Sequence, residues 1–197
     1  MKKLFVLLLL GLLSLVLVAC SQKDMESNTI ATSELTEREK AILSTTSDKS
    51  FVFDFNIDSE YEEITVWVEK FESGILVDDG LGHITTQAGE NGSIIFTTSK
   101  NDNEKQNIFN IGISTDESTS SIIISDTALE EMASVWNHIP EEKSLANGEV
   151  VLANICYSDD ENGMQSLTTD FYDDVDGHMG ELAEYDVVYL LKAEFLK

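Results

Sequence analysis

The chain has 197 residues, 37 of them acidic and 12 basic, which gives a formal charge of −25 and a pI near 4.1. A surface of that sign repels nucleic acid phosphates and anionic lipid headgroups, so neither is an expected partner. Electrostatics favours instead a basic protein or a cation, although high charge also serves simply to keep an exported protein soluble.

Met1 to Cys20 reads MKKLFVLLLLGLLSLVLVAC. Lys2 and Lys3 form a basic end, and the run of 15 apolar or small residues from Leu4 to Val18 has the length of a signal-peptide core. A membrane span needs about 20. The closing tetrad Leu17-Val18-Ala19-Cys20 resembles the lipobox of bacterial lipoproteins. That resemblance implies transfer of a diacylglyceryl group to the Cys20 thiol, removal of residues 1–19 as a signal peptide, and acylation of the new amino terminus. The expected location is therefore the extracytoplasmic face of the cell membrane, with lipid on Cys20 as the membrane contact. Loss of Lys2 and Lys3 leaves ten basic residues against 37 acidic ones, a mature charge near −27.

Residues 20–32 are mostly polar and lack periodicity, so they read as a flexible tether, with a single domain over 33–197. Thr36 and Glu39 have capping-box spacing at the start of a short helix whose apolar stripe is Leu35, Ile42 and Leu43. The period then changes to two. Phe51, Phe53, Phe55 and Ile57 fall on one face and Asp54, Asn56 and Asp58 on the other, as in a half-buried strand. Ile64, Val66 and Val68 continue the pattern with Trp67 opposite, and Glu72-Ser73-Gly74 turns the chain into Ile75-Leu76-Val77 as a hairpin. Further strand-like runs occupy Ser93–Thr98, Asn107–Ile113, Ser121–Ile124, Glu149–Tyr157 and Asp186–Phe195.

Thr127–Ile139 is the exception. Leu129, Met132, Val135, Trp136 and Ile139 follow helical spacing between a Thr127/Glu130 cap and Pro140, which predicts a helix closing one edge. The expected fold is mainly β, an antiparallel sandwich of about seven or eight strands with one or two short helices.

Candidate chemistry is sparse. With Cys20 lipidated, Cys156 has no partner for a disulfide, and its apolar run makes it a buried thiol of the core. From Ser144 to Leu191 there are eleven acids and no lysine or arginine. Within that segment Asp174 and Asp176 precede Gly177 as in a calcium loop. Tyr172 and Ala183, however, stand where an EF-hand needs its first and last ligands, so these two aspartates are weak calcium candidates and no metal site is assigned. A loop ending at Gly163 fails in the same way, with Ser158 first and Thr169 last. His83, His138 and His178 are scattered and form no zinc-protease pair. His178 beside Asp176 would need a serine brought from elsewhere to act in hydrolysis. Trp67 and Trp136 read as packing anchors. No catalytic residue or cofactor is predicted.

Beyond Cys20, the mature part resembles the small uncharacterised lipoproteins of Bacillus-like bacteria. The expected function is a non-enzymatic interaction or sensory module of the cell envelope that contacts another envelope protein. An acidic, calcium-responsive binding domain and an envelope hydrolase are the alternatives. A solute-binding lipoprotein of a transporter is disfavoured, since no alternation of strands and helices is visible.

Overall fold

The computed structural model describes residues 25–101, 105–116, 118–127, 129, 132–145, 148–159 and 163–197. Cys20, the signal segment and the first residues of the expected tether lie outside that set. Eleven strands run through the described residues: β1 (Thr29–Thr32), β2 (Lys49–Asn56), β3 (Glu63–Glu72), β4 (Ile75–Gln87), β5 (Asn91–Asn101), β6 (Gln106–Thr115), β7 (Thr119–Thr127), β8 (Ala133–His138), β9 (Lys143–Ser144), β10 (Glu149–Ser158) and β11 (Val187–Leu196). They form a six-stranded sheet in the order β7-β6-β5-β2-β1-β9 and a five-stranded sheet in the order β4-β3-β11-β10-β8. Every pairing is antiparallel. The mainly β sandwich expected from the sequence is the fold observed.

The two sheets meet through the faces that the period-two pattern marks. Phe51, Phe53, Phe55 and Ile57 are buried, as are Ile94, Phe96, Phe109, Ile111 and Ile113 on the neighbouring strands. Opposite them Ile64, Val66 and Val68 are fully buried on β3. Aromatic contacts bridge the layers, Phe109 to Tyr189 at 4.8 Å and Phe55 to Phe195 at 5.4 Å between ring centroids. Edge-to-face and tilted pairs of this kind add to the area they bury.

Three strands exceed the sequence expectation. Residues 29–32, assigned to the tether, form β1, which inserts between β2 and β9 and buries Ile30 completely. A four-residue strand with one buried aliphatic is too short to show a period. The predicted helix over Thr127–Ile139 is also wrong: Thr127 closes β7, and Ala133–His138 is β8, paired with β10. The apolar spacing there fits a helix, but an edge strand satisfies it equally, because Val135 packs on the core while Trp136 is half exposed. Pro140 stops either element, having no N–H to donate. The third strand, β9, has only two residues.

The first helix is as expected. Thr36 accepts from the Glu39 N–H at 3.3 Å and the Glu39 carboxylate accepts from the Thr36 N–H at 2.7 Å, opening α1 (Glu37–Thr46) with a complete capping box. Its apolar stripe stays at the surface, since none of its residues is buried. The hairpin also forms. Ser73 and Gly74 have φ of 49° and 78°, the pair of left-handed residues that a two-residue type I′ turn requires. β4 then carries three bulges against β3, thirteen residues facing ten, which twist an edge strand away from further pairing.

At one end of the sandwich Lys70 of β3, on the inward face, reaches Asp126 of β7 at 2.9 Å, and the Tyr189 hydroxyl donates to the same carboxylate at 2.7 Å. Burial pushes the Asp126 carboxyl up, but the hydrogen bonds from Lys70 and Tyr189 outweigh it and hold the group below its ordinary value. A carboxylate with a lowered folded-state pKa stabilises above its unfolded value and loses that contribution as pH falls through the folded one. The melting temperature of the wild type should therefore exceed that of Asp126→Asn at neutral pH, and the gap should close as pH falls below about 4. A gap that stays constant with pH would refute this cross-sheet tie.

Candidate functional site

The six-stranded sheet alternates buried and accessible residues, but the central strands of the five-stranded sheet, β10 and β11, are buried on both faces, while its edge strands β4 and β8 carry no buried residue. In β10 all eight residues from Val151 to Ser158 are buried, as are Val187–Leu191 in β11. Tyr189, Leu191 and Phe195 face the core, so Val188, Leu190 and Lys192 face outward, beside Asn154 and Cys156 of β10. What covers this outer face is the acidic segment itself. Leu167, Phe171, Tyr172, Leu182 and Tyr185 are all buried, and Asn154 donates to the Tyr172 hydroxyl at 2.6 Å across the join. The segment is thus two-sided, with aromatic and leucine side chains turned to the sheet and carboxylates turned to water. Over its described residues the acidic segment is therefore solvated only on its outer side.

The covering segment is made of short helical turns fixed by local polar contacts. Thr168 donates through its N–H and hydroxyl to the two Glu181 oxygens at 2.9 and 2.6 Å. Asp174 caps the one-turn helix α2 (Val175–His178), accepting from the Gly177 N–H at 3.0 Å, while His178 Nδ1 donates to the Asp174 carbonyl at 2.8 Å. A Cβ at Gly177 would lie 2.3 Å from the Asp174 carboxylate, so the Asp-x-x-Gly spacing serves the cap. Lys143 ties Asp173 to β9 by an ion pair. The Gly74 turn touches the segment too, a Cβ there falling 2.9 Å from the Ala183 methyl.

Between this cover and the sheet lies a cleft of about 630 Å³. Phe71 of β3, Val150 and Val151 of β10 and Leu190 of β11 close it below, with Phe71, Val151 and Leu190 almost fully buried. Val175 and Met179 form the wall, and Leu76 on the hairpin forms a lip. Five carboxylates line it, from Glu69, Glu149, Asp173, Asp174 and Asp176, against one ammonium, Lys192. Lys192 sits low in the cleft with its side chain 12% exposed, paired with Glu69 at 2.9 Å and with Glu149, and 5.8 Å from the Trp67 ring centre. Burial lowers its pKa, but the hydrogen bonds it donates to the two carboxylates outweigh that and raise it, so the lysine stays charged. Lys192 thus engages Glu69 and Glu149, Lys143 pairs with Asp173, Asp174 is held in the α2 cap, and Asp176 stands exposed at the opening.

The other expected groups fall elsewhere. His83 lies 5.5 Å from Trp67, ring centre to ring centre. His138 bonds the Ile139 carbonyl at 2.9 Å and sits edge-on to Phe51 and Phe53. His178 serves the α2 cap, apart from the other two histidines. Cys156 is fully buried, and burial pushes its thiol up to about 12, the opposite of a nucleophile's requirement. Trp67 is buried, as an anchor should be, whereas Trp136 is half exposed with Lys49 4.7 Å above its ring and does not join the core. Asp174 is committed to its cap and Asp176 is exposed. Among the described residues no three His, Cys, Asp or Glu side chains converge as a metal site. Asp160 and Glu161 of the Gly163 loop lie outside those residues.

The model of the YgaN domain family matches residues 29–195, from the first strand to the last. The chain belongs to the YgaN domain family. No curated protein and no solved structure matches it. The match begins at β1, so the YgaN domain includes the strand that the sequence pattern assigned to a tether. Lys192 and Glu69 escaped the sequence reading, although a lysine following the apolar run Val187–Leu191 is itself a signal. A charge in a buried strand requires a partner, and Glu69 and Glu149 supply it.

Proposed function

We propose that the protein is a lipoprotein anchored through Cys20 on the outer face of the cytoplasmic membrane, where its YgaN domain acts as a non-enzymatic interaction or sensory module. The leader carries this reading: a basic end, a core too short to span a bilayer, and Leu17-Val18-Ala19-Cys20 in immediate succession. Among the described residues no helix is long and apolar enough to cross a membrane. Binding rather than catalysis is supported by the side chains themselves, since His138 and His178 are held by backbone carbonyls and the Cys156 thiol is sealed in the fold. An open cleft lined by carboxylates and one paired lysine is a feature that a binding module can use.

The test is a Cys20→Ser variant expressed in its own cell type. It should take up no labelled fatty acid and should either keep residues 1–19 or appear in the medium. A cleaved Cys20→Ser chain that stays on the membrane as the wild type does would overturn the anchor.

A further inference from the structure

We propose that two copies of this chain pair edge to edge through β7, antiparallel and in register about Ile123. The proposal goes beyond the interaction-module reading and rests on the fold alone. A sheet edge carries a row of unpaired N–H and C=O groups, and folded proteins blunt such edges against unwanted pairing. Three of the four edges here are blunted. β4 has its bulges, β9 has two residues, and β8 has six, with its last N–H taken by the Asn137 side chain at 2.9 Å. β7 is different. It pairs with β6 over nine consecutive positions without a register shift and contains no proline, glycine or lysine. Among the described residues no strand pairs with its other side, and no backbone hydrogen bond outside the ladders reaches residues 119–126. Gly82 of β4 lies against Ile124, and Ser120 donates to Thr86 at 3.5 Å, but these are contacts of inward side chains and leave the edge open in the plane of the sheet.

Charge selects the occupant. Ser93–Ser99, Gln106–Ser114 and Thr119–Thr127, which make up most of β5, β6 and β7, hold one charged residue, Asp126, and it points inward to Lys70. Their outer face is therefore neutral in a chain of charge −25. A strongly basic or acidic partner gains nothing there, whereas two highly negative copies meet most favourably where charge is missing. The edge also matches itself. Its accessible residues are Thr119, Ser121, Ile123, Ser125 and Thr127, with Ile123 73% exposed. A two-fold axis through Ile123 sets Thr119 opposite Thr127 of the second copy, Ser121 opposite Ser125, and Ile123 opposite itself. On the inner face Ile122 meets Ile124. Thr–Thr pairs are favourable across strands, and the exposed Ile123 is covered. The contact is closed, because it uses the same edge of both chains and joins their six-stranded sheets into one.

The experiment is disulfide trapping of the full chain in detergent, in a Cys20→Ser background whose remaining thiol, Cys156, is buried. Ile123→Cys should give a disulfide-linked dimer on mild oxidation. Ser121→Cys alone should not, because its counterpart lies four residues off along the second strand, about 13 Å, whereas a disulfide allows roughly 7 Å between Cα atoms. Mixing Ser121→Cys chains with Ser125→Cys chains should restore the link. Without oxidant, sedimentation should show two chains per particle, with an affinity that rises with salt as the like charges are screened. Ile123→Lys should weaken dimerisation about tenfold or more, while Ile75→Lys, at a position 69% exposed on β4, should leave it unchanged. Thermal unfolding checks that both lysine variants are folded. A chain that stays single at about 100 μM overturns the proposal. So does a dimer that survives Ile123→Lys, or Ser121→Cys linking as readily as Ile123→Cys. Capture of a different protein by Ile123→Cys in intact cells, in place of a second copy, gives the edge to another partner and likewise overturns it. The purified chains lack Cys20, so their result is independent of the lipid anchor.

Discussion

Truncating Phe53 to alanine will cost the domain about 3 to 5 kcal/mol, a large part of the stability of an ordinary domain. Phe53 has no exposed surface, pairs with Thr32 on one side and Ile94 on the other, and packs edge-on to His138 across the sheets. The side chains around it are held by three sheet pairings, so the site cannot collapse to fill the void. The cost is therefore both lost transfer energy and a residual cavity. Urea unfolding of the full chain measures it, with Val52→Ala as reference. Val52 precedes Phe53 on the opposite, partly exposed face, and its truncation should cost less than about 1.5 kcal/mol. Equal losses at the two positions would mean that the period-two face does not form the core.

A single added methyl at Gly92 will destabilise by about 1 to 3 kcal/mol or more. Its Cβ would stand 2.3 Å from Phe55 Cζ and 2.4 Å from the Ser114 carbonyl oxygen. Gly92 pairs with Phe55 on β2 and Thr115 on β6, so the ring covers the glycine and the carbonyl is fixed by the ladder. The ring can turn only by leaving its contact with Phe195. Gly80→Ala is the matched control: nothing lies within 4 Å of a Cβ there, so the change should be nearly neutral. If thermal unfolding moves equally for both, packing at Gly92 is not what limits it.

How far the sequence revealed this fold depended on how each strand is buried. Strands with one wet face, β2 above all, announce themselves by alternation. The hairpin was legible because Glu72-Ser73-Gly74 sets a turn between two strand-like runs, and both turn residues prove left-handed in the structure. The apolar runs of β10 and β11 gave strands but hid their second buried face, because nothing within a continuous run says what covers it. The cover was written elsewhere, in Phe171, Tyr172 and Leu182 interleaved with aspartates and glutamates, a mixture whose charge masks its apolar side. The cleft was out of reach for the same reason. Glu69, Leu76, Glu149, Asp176 and Lys192 come from four separate stretches, and only the register of β3, β11 and β10 brings them together. Lys143 and Lys192 flank the base-free segment in sequence and return to it in space.

β11 lies at the centre of its sheet, and its partner β3 was made more than half a chain earlier, Glu63 pairing with Leu196 and Glu72 with Val187. A polypeptide emerging amino terminus first therefore presents Ile64, Val66 and Val68 long before the strand that shelters them exists. Closing such a distant pair is slow, and until it closes the sheet has no middle. For the lipid-anchored protein proposed above, which would cross a membrane before folding, this order means that the sheet completes only when almost the whole length has emerged.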